Sequence, residues 1–205
     1  MAPTADRVVL GRVAAALAAV FAILAVGVAW SGSLPGDRRM LAGIHDAIGT
    51  SIDDPALFIA RLTDGGPLSI AAVVLGALLL AARRPADALW CLIAIAGVMV
   101  VNPLLKDAFG RGRPDVRTIP EPVSVYSFPS GHAANTAALV GAIAMVLWSS
   151  RDRSLVVILG GAFLAVVAFA QLAIGAHYPS DILAGWSWSA AWVALVSLAR
   201  TFTTR

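Results

Sequence analysis

Lys106, the single lysine of this chain, and His132 and His177, two of its three histidines, each stand in a short polar cluster at the mouth of a long apolar run. The first cluster reads Lys106-Asp-Ala-Phe-Gly-Arg111-Gly-Arg113-Pro114, with Arg117 close behind. It gathers an ammonium and three guanidiniums where a helix should end. That combination suits phosphate, because Arg grips two oxygens with a planar fork and Lys adds a point charge. Snorkelling of long basic side chains at a membrane interface is the plainer reading of the same residues. The second cluster, Pro129-Ser130-Gly131-His132, precedes another apolar run. Ser130 is a favoured N-cap, the first helical turn offers unpaired N–H groups to an anion, and Gly131 lets an oxyanion approach the backbone. His132 falls beside that anion.

The third cluster is His177-Tyr-Pro-Ser-Asp181. Pro179 suits the first position of a helix, and Asp181 then lies in the first turn. From there the carboxylate can accept a ring N–H from His177. Such a bond fixes the tautomer, leaves the other ring nitrogen as a nucleophile and stabilises positive charge that builds on the ring during attack. A His and an Asp four apart can also bind a metal. Zinc sites usually take three protein ligands, however, and the remaining candidates here include His132, which stands next to the expected anion donors. The expectation is a site with no metal and no cofactor.

The elements that carry these clusters follow from composition. The chain has 205 residues, 59% hydrophobic and 13% charged, against roughly 45–50% apolar and about 25% charged in soluble domains. Segments such as 68–82 and 155–170 are apolar all round, so lipid must cover them. An integral membrane protein results. The formal charge of +3 comes from 15 Lys+Arg against 12 Asp+Glu; the arginines lie in short loops between apolar runs, which argues against nucleic acid as a partner. The lone Cys91, inside an apolar stretch, excludes an intrachain disulfide or a cysteine-based zinc cage. Arg7 and Arg12 before the apolar run that ends at Trp30 resemble a signal peptide, but the run has the length of a spanning helix and Trp30 suits an interface.

Hydropathy predicts an all-α, six-span bundle in one domain, 1–205, with spans at about 10–30, 66–82, 86–105, 132–149, 154–175 and 180–199. Between the first two, Met40, Leu41, Ile44 and Ile48 recur at helical spacing, which predicts one or two short amphipathic helices on the membrane surface, broken at Asp54-Pro55. Six crossings put all three polar clusters on one side. That side holds seven bases and the other eight. Setting aside Lys106, Arg111 and Arg113 as site residues reduces the seven on the cluster side to four against eight, so the positive-inside rule turns the clusters toward the periplasm or exterior of the cell membrane.

These residues resemble the type 2 phosphatidic acid phosphatases, membrane relatives of vanadium haloperoxidases and bacterial acid phosphatases. The family pattern is Lys, six residues, Arg-Pro; then Pro-Ser-Gly-His; then Ser-Arg, five residues, His, three residues, Asp. Lys106 with Arg113-Pro114, then Pro129 to His132, then His177 with Asp181 match it. The resemblance implies that His177 attacks phosphorus, Asp181 orients it, and His132 protonates the leaving alkoxide and later activates water. Lys106, Arg113, Ser130 and the Gly131 amide would hold the phosphoryl oxygens. One departure is plain: Ala170-Gln171 stands where the family has Ser-Arg. Gln171 keeps hydrogen-bonding ability without the charge or the fork, so Arg111 or Arg117 would have to replace the missing cation, and Arg111, being near Arg113, is the expected substitute. The implied activity is hydrolysis of a lipid phosphate or diphosphate, with membrane lipids as surroundings and the oligomeric state left open. Phosphotransfer to an acceptor alcohol through the same site and non-catalytic binding of a lipid phosphate are the other readings.

Overall fold

The computed structural model describes residues 4–116, 124–148 and 151–203. Among them the chain is helical, with one isolated bridge between Gly112 and Tyr126. The helices are α1 (Thr4–Ser31), α2 (Asp37–Ile48), α3 (Asp53–Leu62), α4 (Gly65–Ala81), α5 (Pro85–Phe109), α6 (Gly131–Leu147), α7 (Arg153–Ala173) and α8 (Pro179–Thr203). Their ends follow local chemistry. Pro85 and Pro179 open α5 and α8, where a missing N–H costs nothing. At the other end of α5, Gly110 takes a left-handed φ of 58° and returns its N–H to the Lys106 carbonyl.

Four helices, α1, α5, α7 and α8, are long and apolar enough to cross a bilayer. Of the six expected spans, the second and fourth are shorter: α4 and α6 have 17 residues each, about 25 Å at 1.5 Å per residue. α3 and α4 together form a bent apolar unit with a 47° angle between its halves. Ile23, Val26, Ile70, Val73, Val100 and Ile158 are exposed on the outer faces, as a lipid-covered surface requires. The protein is a membrane protein.

The amphipathic segment forms two helices, α2 and α3, as its spacing predicts. The expected break at Asp54-Pro55 is corrected: the chain breaks at Gly49, whose N–H caps His45, and Pro55 sits in the first turn of α3. A proline is tolerated there because first-turn N–H groups have no partner within the helix. Ala56 and Ala60 of α3 pack on Ala170 and Ala173 of α7 and on Ile174 just after it, so this helix is part of the bundle wall.

At the centre, α6 packs against α5, α7 and α8 through small residues: Ala133, Ala134, Ala138 and Ala142 are sealed from solvent. Without water to drive association, membrane helices hold together through such close backbone contact and buried hydrogen bonds. Ser189 of α8 donates to the Ala134 carbonyl at 2.8 Å, and Trp188 donates to Asn102 of α5 at 3.1 Å. At Gly185 the approach is to backbone: a Cβ there would meet the Ser130 carbonyl at 2.7 Å and the Ala134 nitrogen at 3.1 Å. On the opposite side of Ser130, Phe128 stacks with Phe21 of α1 at 6.2 Å and meets Phe109 edge-on at 5.0 Å. The loop that opens α6 is thereby held from both sides.

Gly185→Ala is expected to destabilise the protein by about 1–3 kcal/mol, because the added methyl must displace backbone. Gly76→Ala, with nothing within 4 Å of the added atom, should be neutral or slightly stabilising. Thermal unfolding of both variants in detergent checks this, and equal midpoints would contradict the packing described.

Candidate active site

The ends of α5 and α7 and the beginnings of α6 and α8 meet at one end of the bundle, around a cavity of about 930 Å³. Lys106, Arg113, Gly131, His132, Gln171 and His177 line it. Three separate polar clusters of the sequence thus converge on one space.

Lys106 projects from the last turn of α5 and donates to the Tyr126 carbonyl at 2.7 Å. The left-handed turn at Gly110 then reverses the chain, so that Arg113 returns to the cavity. Its Nε donates to the Ser124 carbonyl at 2.9 Å and its Nη1 to the Ala176 carbonyl at 2.8 Å. Burial pulls the Arg113 guanidinium below its ordinary value, with Asp181 opposing, yet arginine remains charged in proteins. Two cations in a largely enclosed space are a receptor for an anion.

Ser130 caps α6 by accepting from the Ala133 N–H, and its own N–H donates to the Asp181 carbonyl at 3.0 Å. This second bond locks the opening of α6 to the first turn of α8. Ser130 is fully buried and lies outside the cavity lining, whereas Gly131 and His132 line it. His132 Nε2 stands 3.1 Å from the Ala60 carbonyl of α3. A carbonyl only accepts, so Nε2 carries hydrogen and Nδ1 is the nitrogen left to exchange a proton. The rings of His132 and His177 are 6.4 Å apart, centre to centre, a gap of phosphoryl size.

His177 is 1% exposed. Burial drives its pKa down to about 3; Lys106 and Arg113 push the same way, while Asp181 opposes them. The ring is neutral near pH 7, as a nitrogen nucleophile must be. Asp181 sits behind it, with Oδ2 3.5 Å from His177 Nδ1. This is beyond hydrogen-bond geometry, and a small ring rotation would close it. The carboxylate is fixed independently: Oδ2 accepts from the Tyr178 N–H at 2.8 Å and Oδ1 from Arg111 at 2.5 Å.

Arg111 requires a correction. Expected to replace the family arginine at the phosphate, it points away from the cavity and is sealed between two carboxylates, Asp181 and Asp37. Its Nε donates to the Gly32 carbonyl at 3.0 Å, and its guanidinium stacks over Tyr178 at 4.2 Å. Every edge of the fork is engaged. Arg117, the other expected substitute, lies outside the described residues. Gln171 itself stands at the cavity wall, completely buried, and neither its Oε1 nor its Nε2 has a partner. Leaving a buried amide unpaired costs on the order of 1–3 kcal/mol.

Asp37 and Ala60 escaped the sequence reading. Asp37 follows Pro35-Gly36 and looks like an ordinary helix-start residue. Ala60 acts through a backbone carbonyl, which no side-chain pattern reports. Among the described residues, no group of three or more His, Cys, Asp or Glu side chains is placed to hold a metal ion.

The model of the PAP2 superfamily matches residues 87–205, which include Lys106, Arg113, Gly131, His132, Gln171 and His177 but not Ala60 of the cavity wall. Phosphatidylglycerophosphatase B of Bacillus subtilis (strain 168) is 31% identical over 120 residues, covering 56% of this chain and 59% of that protein. The match therefore spans less than two thirds of that relative's length. The crystal structure of the first transmembrane PAP2 type phosphatidylglycerolphosphate phosphatase from Bacillus subtilis superposes with a TM-score of 0.80 at 25% identity, over 94% of this chain and 98% of that one.

Because the unfolded chain protonates His177 near the ordinary 6.5 and the folded chain only near 3, this group favours folding fully above pH 6.5 and progressively less as pH falls toward 3. Thermal midpoints in detergent should drop between pH 7 and pH 4, and His177→Gln should flatten that dependence. Parallel curves for parent and variant would rule the assignment out.

Proposed function

The chain belongs to the PAP2 superfamily, and from that premise we propose that it is a lipid phosphate phosphatase, removing the terminal phosphate of a phosphatidylglycerophosphate-like lipid. The observation that carries this reading is the convergence of His132 and His177 with Lys106 and Arg113 on one cavity that also has an apolar stretch of wall. Leu57, Met99, Pro103 and Ile174 supply that wall. A phosphate would lie between Lys106 and Arg113 while the acyl chains leave sideways past α3 and α5 into lipid.

In the proposed reaction, Nε2 of His177 donates its lone pair to phosphorus as the bond from phosphorus to the lipid oxygen breaks. The departing alkoxide takes a proton from His132. The His177 ring keeps its Nδ1–H, faces Asp181 and carries a positive charge while phosphorylated. His132, now neutral, then takes a proton from water as the water oxygen bonds to phosphorus; the N–P bond breaks and inorganic phosphate leaves. Lys106, Arg113 and the Gly131 amide stabilise the equatorial oxygens, and phosphoryl transfer depends chiefly on such positioning and charge. Gln171 donates its Nε2–H to one of those oxygens in place of the family arginine, and Ser130 acts as the cap that holds Gly131 and His132 in place.

The proposed topology has six spans, with α4 and α6 crossing a locally thinned bilayer. The site then opens on the extracytoplasmic face of the cell membrane, the face that has fewer basic loop residues once Lys106, Arg111 and Arg113 are assigned to the site.

Purified protein should release phosphate from phosphatidylglycerophosphate in mixed micelles, and His177→Ala should lower kcat by at least about 10³-fold. His132→Ala should lower it by about 10²–10⁴-fold, and EDTA should leave the rate unchanged. Full turnover by His177→Ala, or loss of turnover with EDTA, would overturn this mechanism. Gln171→Leu should raise KM or lower kcat by roughly 3–10-fold, the size of one neutral hydrogen bond.

A further inference from the structure

Among the described residues, Asp37 is the one buried carboxylate that the proposed reaction does not touch, and it is 3% exposed. Its Oδ2 accepts from Arg111 Nη2 and from the Ser180 hydroxyl, both at 2.6 Å, and from the Leu34 N–H at 3.2 Å; Oδ1 accepts from the Ser180 N–H at 3.0 Å. Arg111 Nη1 donates in turn to Asp181 Oδ1 and to the Ser180 hydroxyl. A continuous line runs from His177 through Asp181 and Arg111 to Asp37, with side chains sealed from solvent throughout. Asp37 lies outside the segment that matches the family model, 87–205, so no motif assigns it.

The charges along this line explain why a second carboxylate is present. Asp181 paired with Arg111 alone would be neutral, and a neutral pair is a weak counter-ion for a cationic ring. With Asp37 sharing the same guanidinium, the three groups sum to one negative charge. The proposed reaction puts one positive charge on the His177 ring when the N–P bond forms. At low dielectric such a match matters far more than it would in water. The geometry is equally restrictive. Arg111 is held on one side by Asp37 and the Gly32 carbonyl and on the other by Asp181, so the Asp181 carboxylate cannot rotate away from His177 without breaking a buried ion pair.

We propose that Asp37 is a positioning residue for the reaction, which acts through Arg111 to hold Asp181 against His177 and to leave one net negative charge facing the ring that becomes phosphorylated. The proposal rests on the phosphohistidine reading above and can fail separately from it.

The test uses the full chain in detergent with inorganic vanadate, which can accept a bond from the ring nitrogen as phosphorus does in the transition state, and inorganic phosphate, which binds as an anion only. Asp37→Asn is nearly isosteric and keeps an acceptor for Ser180. It should lower kcat by tenfold or more with KM within about twofold, and weaken vanadate by a similar factor while phosphate binding holds. Asp37→Glu, which restores the charge, should recover most of the loss. If Asp37→Asn does not fold, Arg111→Lys serves instead: it keeps the charge but cannot bridge two carboxylates, and the same split is expected. An unchanged kcat in a folded variant, or equal weakening of vanadate and phosphate, overturns the role of Asp37. Full turnover in His177→Ala would instead remove the phosphohistidine reading beneath it.

Discussion

A guanidinium shared by two carboxylates, all three shut away from solvent, is the interaction on which the arrangement depends. Arg111 comes from the loop after α5, Asp181 from the first turn of α8, and Asp37 from the start of α2. Each would be prohibitively costly to bury alone, since desolvating an ion costs several kcal/mol even after relaxation. Together they are tolerated only in one mutual geometry. That demand fixes the α1–α2 connection, the reversal after α5 and the entrance to α8 relative to one another.

The neighbouring cavity follows the opposite electrostatic rule. Lys106, Arg113 and Arg61 line it, against the carboxylates of Asp64 and Asp107, while backbone carbonyls accept from Lys106 and Arg113. The excess is positive on the cavity side and negative behind His177. The histidine is therefore neutral by burial and set between two fields of opposite sign. In the proposed reaction the phosphate meets the positive side, and the charge on the ring meets the negative side. Gln171 completes the wall with an amide that has no partner inside the protein, a neutral substitute where the family pattern has a cation.

Packing makes this division possible. The alanine-rich face of α6 and Gly185 of α8 let two backbones approach closely, which brings the His132 turn next to the Asp181 turn. The bond from the Ser130 N–H to the Asp181 carbonyl is a product of that approach. The amphipathic helices serve the site as well, because α3 turns the Ala60 carbonyl onto His132. A segment that reads as a membrane-surface accessory supplies a wall of the cavity and, through Asp37, a buried charge.

The three polar clusters, the helical class, most helix ends and the convergence of the clusters on one side were legible in the sequence. They rest on local rules: hydrophobic runs of spanning length, caps, prolines and glycines at helix ends, and alternation of sides along the chain. The direction in which Arg111 points was not legible, although its type and position suggested a phosphate ligand. Neighbourhood in sequence does not fix which face of a loop a side chain takes, and here the left-handed turn at Gly110 sends Arg113 to the cavity and Arg111 behind Asp181. Asp37 was invisible for a related reason, since its partner Ser180 is 143 residues away and a lone carboxylate after Pro-Gly has no periodicity to betray it. Sequence alone determined which chemistry this chain carries. Only the tertiary structure decided which charge faces the cavity and which faces the buried side, because the cost of burying an ion is settled by partners that meet only when the chain has folded.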